Sequence, residues 1–341
     1  MRNKKGILWV GFGNFAKRLY PHITQSPDFE VVSFYHPDRA KAIKRFGVKA
    51  SWDIEKAISD PSVTVVFITT PNDQHTEYLK LALANKKHIF VEKPITALLN
   101  EALEIGPLIR NSNRILIVGH NMRRRPAIRK MKQVIDSGKI GNVVSVYANY
   151  SKGIAQSMDP SNWRFRQERH REGPLITVGI HLIDVFHYLL GPIKSVSSTI
   201  KNISGQTDAP DSNAVLLNFR SGVTAFLEAN YNIPSESVLN VHGTEGTLYL
   251  NGSRLSCRLG RDQNGIASPT QTLPSTNTDD LAEEINEFFR AIKDKCQVET
   301  GYYEALNALA VIEACFQSSH NCQLIEMEDI SKEYFKDEAS I

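Results

Sequence analysis

Near its start the chain runs through four apolar residues, Ile7-Leu8-Trp9-Val10, directly into Gly11-Phe12-Gly13-Asn14-Phe15-Ala16 and then an apolar-faced stretch. A GxGxxA turn between a strand and a helix suits few folds. The first glycine permits a tight turn, the second lets a pyrophosphate reach the backbone, and Ala16 lets helix pack closely on strand. Amides at the helix start then face the phosphates. The sequence up to about Asn121 continues the pattern of a doubly wound parallel sheet. Strands are expected at residues 7–10, 29–35, 63–69, 88–92 and 115–119, with helical stretches such as 73–85 and 100–109 between them.

After a helix near residues 126–137 the texture changes. Strand-like runs at 143–150, 195–200, 214–219, 224–231 and 238–242 follow without a helix between each pair, which predicts a largely antiparallel open sheet. Helices at 174–190 and 278–293 are expected to pack on it, and the polar stretch 260–277 is expected to be a loop. The fold class is thus α/β followed by α+β: a Rossmann domain over residues 1–121 that binds a dinucleotide, NAD or NADP, and a substrate domain over 122–341.

Composition narrows the partners. With 40 basic and 37 acidic residues and a net charge of +3, the chain has no single-sign block suited to nucleic acid. No apolar run approaches the roughly 18–20 residues needed to span a bilayer, and glycines interrupt the short run after the basic N-terminus, so neither membrane span nor signal peptide is expected. Four cysteines, all late and without a CxxC pair, fit a reduced, cytoplasmic protein.

Two further segments fall at carboxyl ends of expected strands, where open α/β sheets bind ligands: Thr69-Thr70-Pro71-Asn72-Asp73-Gln74-His75 and Val91-Glu92-Lys93-Pro94. Lys93 there is either a surface lysine or a donor to a substrate oxygen. At the end of the second strand a carboxylate is expected for the adenine ribose, but the chain reads Tyr35-His36-Pro37-Asp38-Arg39. His36 takes the acidic slot, and Arg39 either meets a 2′-phosphate or is solvated, so NAD and NADP both stay open. His181, Asp184 and His187 recur every three residues, but helical positions six apart lie about 120° apart around the axis, so no metal site is expected. His181 alone is either a satisfied core histidine or a general base. Between Arg164 and Arg171, basic residues at 164, 166, 169, 170 and 171 form either an anion contact or a loop facing water.

GFGNFA, TTPNDQH, VEKP, Arg123 and Pro126 in GHNMRRRP, Asn162-Trp163-Arg164, GPLITVGIHLIDVFHYLLG and HGTEGTLYL together resemble the glucose-fructose oxidoreductase, inositol dehydrogenase and MocA (Gfo/Idh/MocA) family over nearly the whole chain. The resemblance implies hydride transfer between nicotinamide and a hydroxyl carbon of a sugar, sugar derivative or cyclitol. It implies Lys93 and His181 as catalytic residues and Arg123, Thr177, Asp184 and Tyr231 at the substrate. Thr177 stands where the family usually has aspartate. Cofactor contacts are expected from Gly11, Phe12, Gly13, Asn14 and Phe15, from His36 and Arg39, from Thr70, Pro71, Asn72 and His75, from Glu92 and Lys93, and from Asn121, Trp163 and Arg164. A homodimer or homotetramer formed through the open sheet is also implied. The same family fold accommodates a non-catalytic sugar- or dinucleotide-sensing regulator and an NAD-dependent glycosidase.

Overall fold

Six parallel strands build the first sheet: β1 (Lys5–Val10), β2 (Phe29–Tyr35), β3 (Ala50–Ser51), β4 (Val63–Ile68), β5 (His88–Val91) and β6 (Leu116–Val118). In this computed structural model, which describes residues 4–155, 159, 162–165, 170–206, 208–260 and 268–334, their order is β3-β2-β1-β4-β5-β6. The order reverses between β1 and β4, the place where a doubly wound sheet takes a ligand. Ile7, Leu8, Trp9 and Val10 are all fully buried, because helices cover both faces of a parallel sheet and its central strand needs apolar side chains on each. The connecting helices are α1 (Asn14–Thr24), α2 (Arg39–Phe46), α3 (Ile54–Ser59), α4 (His75–Ala84) and α5 (Leu99–Asn111). The five expected strands are present. The sixth, β3, has only two residues and leaves no periodic signal.

Residues 1–121 form this unit together with residues 279–306, and residues 122–278 with 307–341 form a second. The sequence assigned everything after residue 121 to the second domain and packed the helix at 278–293 on its sheet. That helix, Asp280–Asp294, instead joins the first core, where Leu281, Ile285, Phe288, Phe289 and Ile292 lie among Trp9, Phe29, Phe67 and Phe90. Phe289 stacks on Phe29 with centroids 4.0 Å apart, and Phe288 meets Phe67 and Phe90 edge-on at 5.9 and 6.2 Å. Val118 N donates to Thr300 O at 2.8 Å and Thr300 Oγ1 donates to Val118 O at 2.9 Å, which fixes the following segment beside β6. An apolar stripe at helical spacing announces a face to be buried but not the surface that buries it.

The second unit opens with α6 (Pro126–Asp136) and β7 (Val143–Ser151). A π-helical turn, Leu175–Gly179, runs into α7 (Ile180–Leu190), so the helix expected over 174–190 changes its winding midway. Then come β8 (Ile193–Lys201), β9 (Ser212–Phe219), β10 (Thr224–Asn230), β11 (Glu236–Gly243), β12 (Gly246–Asn251), β13 (Arg254–Leu259), β14 (Gln271–Thr272) and β15 (Ile325–Glu326). Their order is β14-β13-β12-β11-β7-β10-β9-β8-β15, antiparallel except for β7 with β10. The five expected strands are again present. The strand-turn-strand implied by HGTEGTLYL is present as β11 and β12, whereas β13, β14 and β15 were not anticipated, and β14 lies inside the stretch expected to be loop. Inward residues such as Val215, Leu217, Leu227 and Val241 are buried. On the opposite face a cross-strand row runs Leu216, Phe226, Tyr147, Asn240, Tyr249. Leu216 and Phe226 there are 41% and 37% exposed, and the Phe226 ring stacks on Tyr147 at 6.1 Å.

Among the described residues no helix is long and apolar enough to cross a membrane, and all four cysteines are unbridged.

Two outcomes follow for stability. Truncating Phe288 to alanine opens a cavity in the first core and should destabilise it by about 3–5 kcal/mol, read from urea unfolding followed by Trp9 fluorescence. His88 accepts from Ile115 N at 3.0 Å, and burial, with Arg114 and Lys5 adding to it, pushes its imidazole down to about 4. An unfolded histidine titrates near 6.5, so this contribution is complete above about pH 6.5 and is lost as the pH falls through about 4. The thermal midpoint should fall over that window, and less steeply in His88→Gln.

Candidate functional site

The two glycines of the turn are required for different reasons. Gly11 has φ +81°, and a Cβ there would stand 2.6–2.8 Å from Thr70 atoms, so the closeness of β1 to β4 admits no side chain. At Gly13 a Cβ would meet open space, so its smallness serves nothing inside the protein. Gly13 is also the N-cap of α1, which has neither a side-chain cap nor an acidic residue in its first turn. Its first amides and the positive end of its dipole are therefore left for an anion. The Thr69 hydroxyl accepts from Trp9 Nε1 at 2.9 Å and donates to Gly11 O, tying both strand ends to the turn. Asn14 is exposed at the helix start, while Phe12 turns its ring onto Trp9, Tyr20, Phe34 and Phe46 and Phe15 lies under Arg18.

Beyond β4, Asn72 is only 3% exposed, yet neither its amide oxygen nor its nitrogen meets a partner among the described residues, and the Thr70 hydroxyl is in the same position. An unsatisfied buried donor or acceptor costs about 1–3 kcal/mol, a penalty a bound ligand would remove. These orphaned groups, a bare helix start and an open Gly13 together fit a dinucleotide. Pro71 caps the short turn that carries Asn72. His75 was expected at the cofactor, but its ring nitrogens lie 2.8 Å from Pro94 O and 3.1 Å from Thr70 O, so it braces the Thr70 segment against the Lys93-Pro94 segment. Burial pushes its imidazole down against the opposing pull of those two carbonyls. Lys93, directly after β5, is partly exposed. Beside it Glu92 is buried, and burial pushes its carboxyl up against the opposing pull of Lys93 and Arg18. Asn121 donates to Asp280 at 2.6 Å. After β2, His36 Nδ1 accepts from Asp38 N at 3.0 Å, and the Arg39 guanidinium lies over the Trp52 ring, 4.6 Å from its centroid.

In the second unit Arg123 grips Asp184 through two hydrogen bonds, Nε to Oδ2 at 2.9 Å and Nη2 to Oδ1 at 2.5 Å, with side chains 7% and 1% exposed. Both were expected at the substrate, and here they hold each other. His181, partly exposed, lies one turn before Asp184 on α7 and meets the edge of Tyr150 at 6.0 Å. Lys152 Nζ stands 4.6 Å over that same tyrosine. Thr177, in the π-helical turn, hydrogen-bonds the hydroxyl of the buried Tyr231. Burial pushes His187 down to about 4, and it lines a cavity of about 270 Å³ with Pro192, Ala310 and Met327. No metal-binding cluster of His, Cys, Asp and Glu occurs among the described residues.

Trp163 and Arg164 share a short turn, Trp163–Phe165, and Arg164 N donates to Asn162 Oδ1. The Trp163 side chain and residues 166–169 of the basic run lie outside the described residues. The rest of the run departs from both expectations. His170 is fully buried, and Arg171 pairs with Glu172 at 2.7 Å and Glu313 at 2.5 Å while lying over Phe316. Tyr150 and Lys152 had no sequence signal, because a tyrosine at a strand end resembles any other strand tyrosine.

Comparison with known proteins agrees with both halves. Residues 5–120 match a family described as oxidoreductase family, NAD-binding Rossmann fold, and residues 128–249 match the GFO/IDH/MocA C-terminal domain. The scyllo-inositol 2-dehydrogenase (NAD(+)) of Bacillus subtilis is 30% identical over 239 residues, 67% of this chain and 68% of its own. The levoglucosan dehydrogenase of Pseudarthrobacter phenanthrenivorans is 28% identical over 257 residues, and the chain spans 66% of its length. A solved oxidoreductase from Desulfitobacterium hafniense is 30% identical with a TM-score of 0.89, covering 97% of this chain and 99% of that one. The phosphate-binding turn, the EKP lysine and the histidine helix thus belong to a two-part fold matched along its length, and the chain is a member of the Gfo/Idh/MocA family of oxidoreductases.

Proposed function

We propose that this protein is an NAD(P)-dependent dehydrogenase acting on a hydroxyl-bearing carbon of a sugar, sugar derivative or cyclitol. The observation that carries the cofactor reading is the bare, uncapped start of α1 at Gly13 together with the buried, unsatisfied amide of Asn72. Substrate class rests on relatives named for levoglucosan and scyllo-inositol. Gly11, Gly13 and the first amides of α1 would hold the pyrophosphate, and Thr70 and Asn72 would supply polar groups alongside it.

A nicotinamide cofactor, when bound, would supply the hydride chemistry, while the protein supplies positions and proton transfer. In the oxidative direction His181 acts as general base for a hydroxyl proton, and Lys93 is the hydrogen-bond donor that stabilises charge growing on a substrate oxygen. Glu92 keeps a carboxyl beside Lys93 and sets the ammonium's surroundings. The Arg123–Asp184 pair is a strut, whose charges cancel internally while it holds α7 and the histidine one turn earlier. Thr177, neutral and engaged with Tyr231, leaves His181 without the carboxylate that usually precedes it in the family. The protein works as a homodimer or homotetramer whose contact is the open face of the second sheet, supported by the exposed row from Leu216 to Tyr249. Four unbridged cysteines support a reducing, cytoplasmic setting.

Purified protein incubated with NAD or NADP and a panel of aldoses, anhydrosugars and inositols should produce absorbance at the reduced-nicotinamide band. Dinucleotide binding without turnover across the panel would remove the dehydrogenase reading. In Lys93→Ala and His181→Ala, turnover should fall by about 10²–10⁴ with circular dichroism and dinucleotide affinity preserved; full activity in either removes that residue from the mechanism. Phe226→Glu places a charge in the middle of the exposed row and should lower the mass measured by light scattering to that of a monomer.

A further inference from the structure

We infer that the chain selects NADP over NAD, with His36 and Arg39 binding the 2′-phosphate; this rests on the dehydrogenase reading above and assigns the cofactor it uses. In an NAD site a carboxylate after the second strand accepts from the ribose hydroxyls and repels a phosphate in their place. Here that slot holds His36, which presents a donor. Its Nδ1 accepts from Asp38 N at 3.0 Å, so in the neutral ring the proton sits on Nε2. The ring therefore offers an N–H where an NAD site would offer a carboxylate oxygen.

The nearest acid in sequence is already committed. Asp38 caps α2 by accepting from Lys41 N at 3.0 Å and pairs with Lys41 Nζ at 3.5 Å. Those same contacts, the hydrogen bond from Lys41 foremost, hold its carboxyl below the usual range. Next to it Arg39 is exposed, with its guanidinium over Trp52, itself 41% exposed. A guanidinium braced on an aromatic ring has lost part of its rotamer freedom before binding, and its planar donors suit a phosphate. A second arginine strengthens the positive field on this side of the turn. Arg45 lies over the Phe12 and Phe46 rings and donates to Phe12 O, within the dinucleotide turn itself. Donor, helix-capping acid and braced cation thus follow one another within four residues of the end of β2.

The test measures binding with fragments that lack nicotinamide. Isothermal titration with 2′,5′-ADP and with 5′-AMP should show the 2′-phosphorylated fragment binding at least about tenfold more tightly, the equivalent of about 1.4 kcal/mol. Arg39→Ala should abolish that preference while leaving 5′-AMP affinity unchanged, and Arg39→Lys should restore part of it. Equal affinities in the wild type, a preference for 5′-AMP, or equal weakening of both fragments by Arg39→Ala would overturn the assignment alone. If NADH and NADPH also fail to bind, the dehydrogenase reading falls with it.

Discussion

The close approach of β1 and β4 at their carboxyl ends is the constraint on which the first unit turns. Gly11 lies so near Thr70 that no side chain fits between them, and the Thr69 hydroxyl links Trp9 to the Gly11 carbonyl across the same gap. Because the strands are locked there, the chain must leave β1 through a left-handed glycine and enter α1 immediately, with its first amides uncapped. Phosphate affinity is thus a by-product of a packing requirement. The same closeness places Thr70 beside the turn, and its hydroxyl and the Asn72 side-chain amide meet no partner among the described residues.

Charged side chains are held in two ways, on aromatic rings and in ion pairs, and each unit uses both. Around the dinucleotide turn, cations stand on aromatic rings: Arg18 on Phe15, Arg39 on Trp52, Arg45 on Phe12 and Phe46. A cation over a ring remains available to an anion. In the second unit, Arg123 is matched to Asp184, and Arg171 to Glu172 and Glu313. Burial makes such matching necessary, since breaking one partner away would leave an uncompensated charge in a dry interior.

Much of this was legible in the sequence because it depends on short-range rules. The turn at Gly11, the alternation of strand and helix to residue 121, and the succession of strands after residue 143 all follow from local pattern, and the five expected strands of each sheet are present. What escaped depends on distant partners. The amphipathic helix at 280–294 has an unmistakable apolar stripe, yet nothing local says that Phe288 meets Phe67 rather than the nearer second sheet. The engagement of Asp184 by Arg123, sixty-one positions away, likewise leaves no local signal. His75 carries a ligand-like motif, and only the course of the backbone shows that carbonyls face both ring nitrogens. Strands of two residues, β3, β14 and β15, are too short for any period to register.

The return of residues 279–306 to the first core also bears on how the polypeptide is made. A nascent chain that has emerged only as far as residue 121 possesses every strand of the parallel sheet but leaves the aromatic surface of Phe29, Phe67 and Phe90 open to water. The Phe288 and Phe289 rings that pack against it are synthesised only after the whole antiparallel sheet except its edge strand β15. On the ribosome the dinucleotide unit therefore stays incomplete until the second sheet is nearly finished.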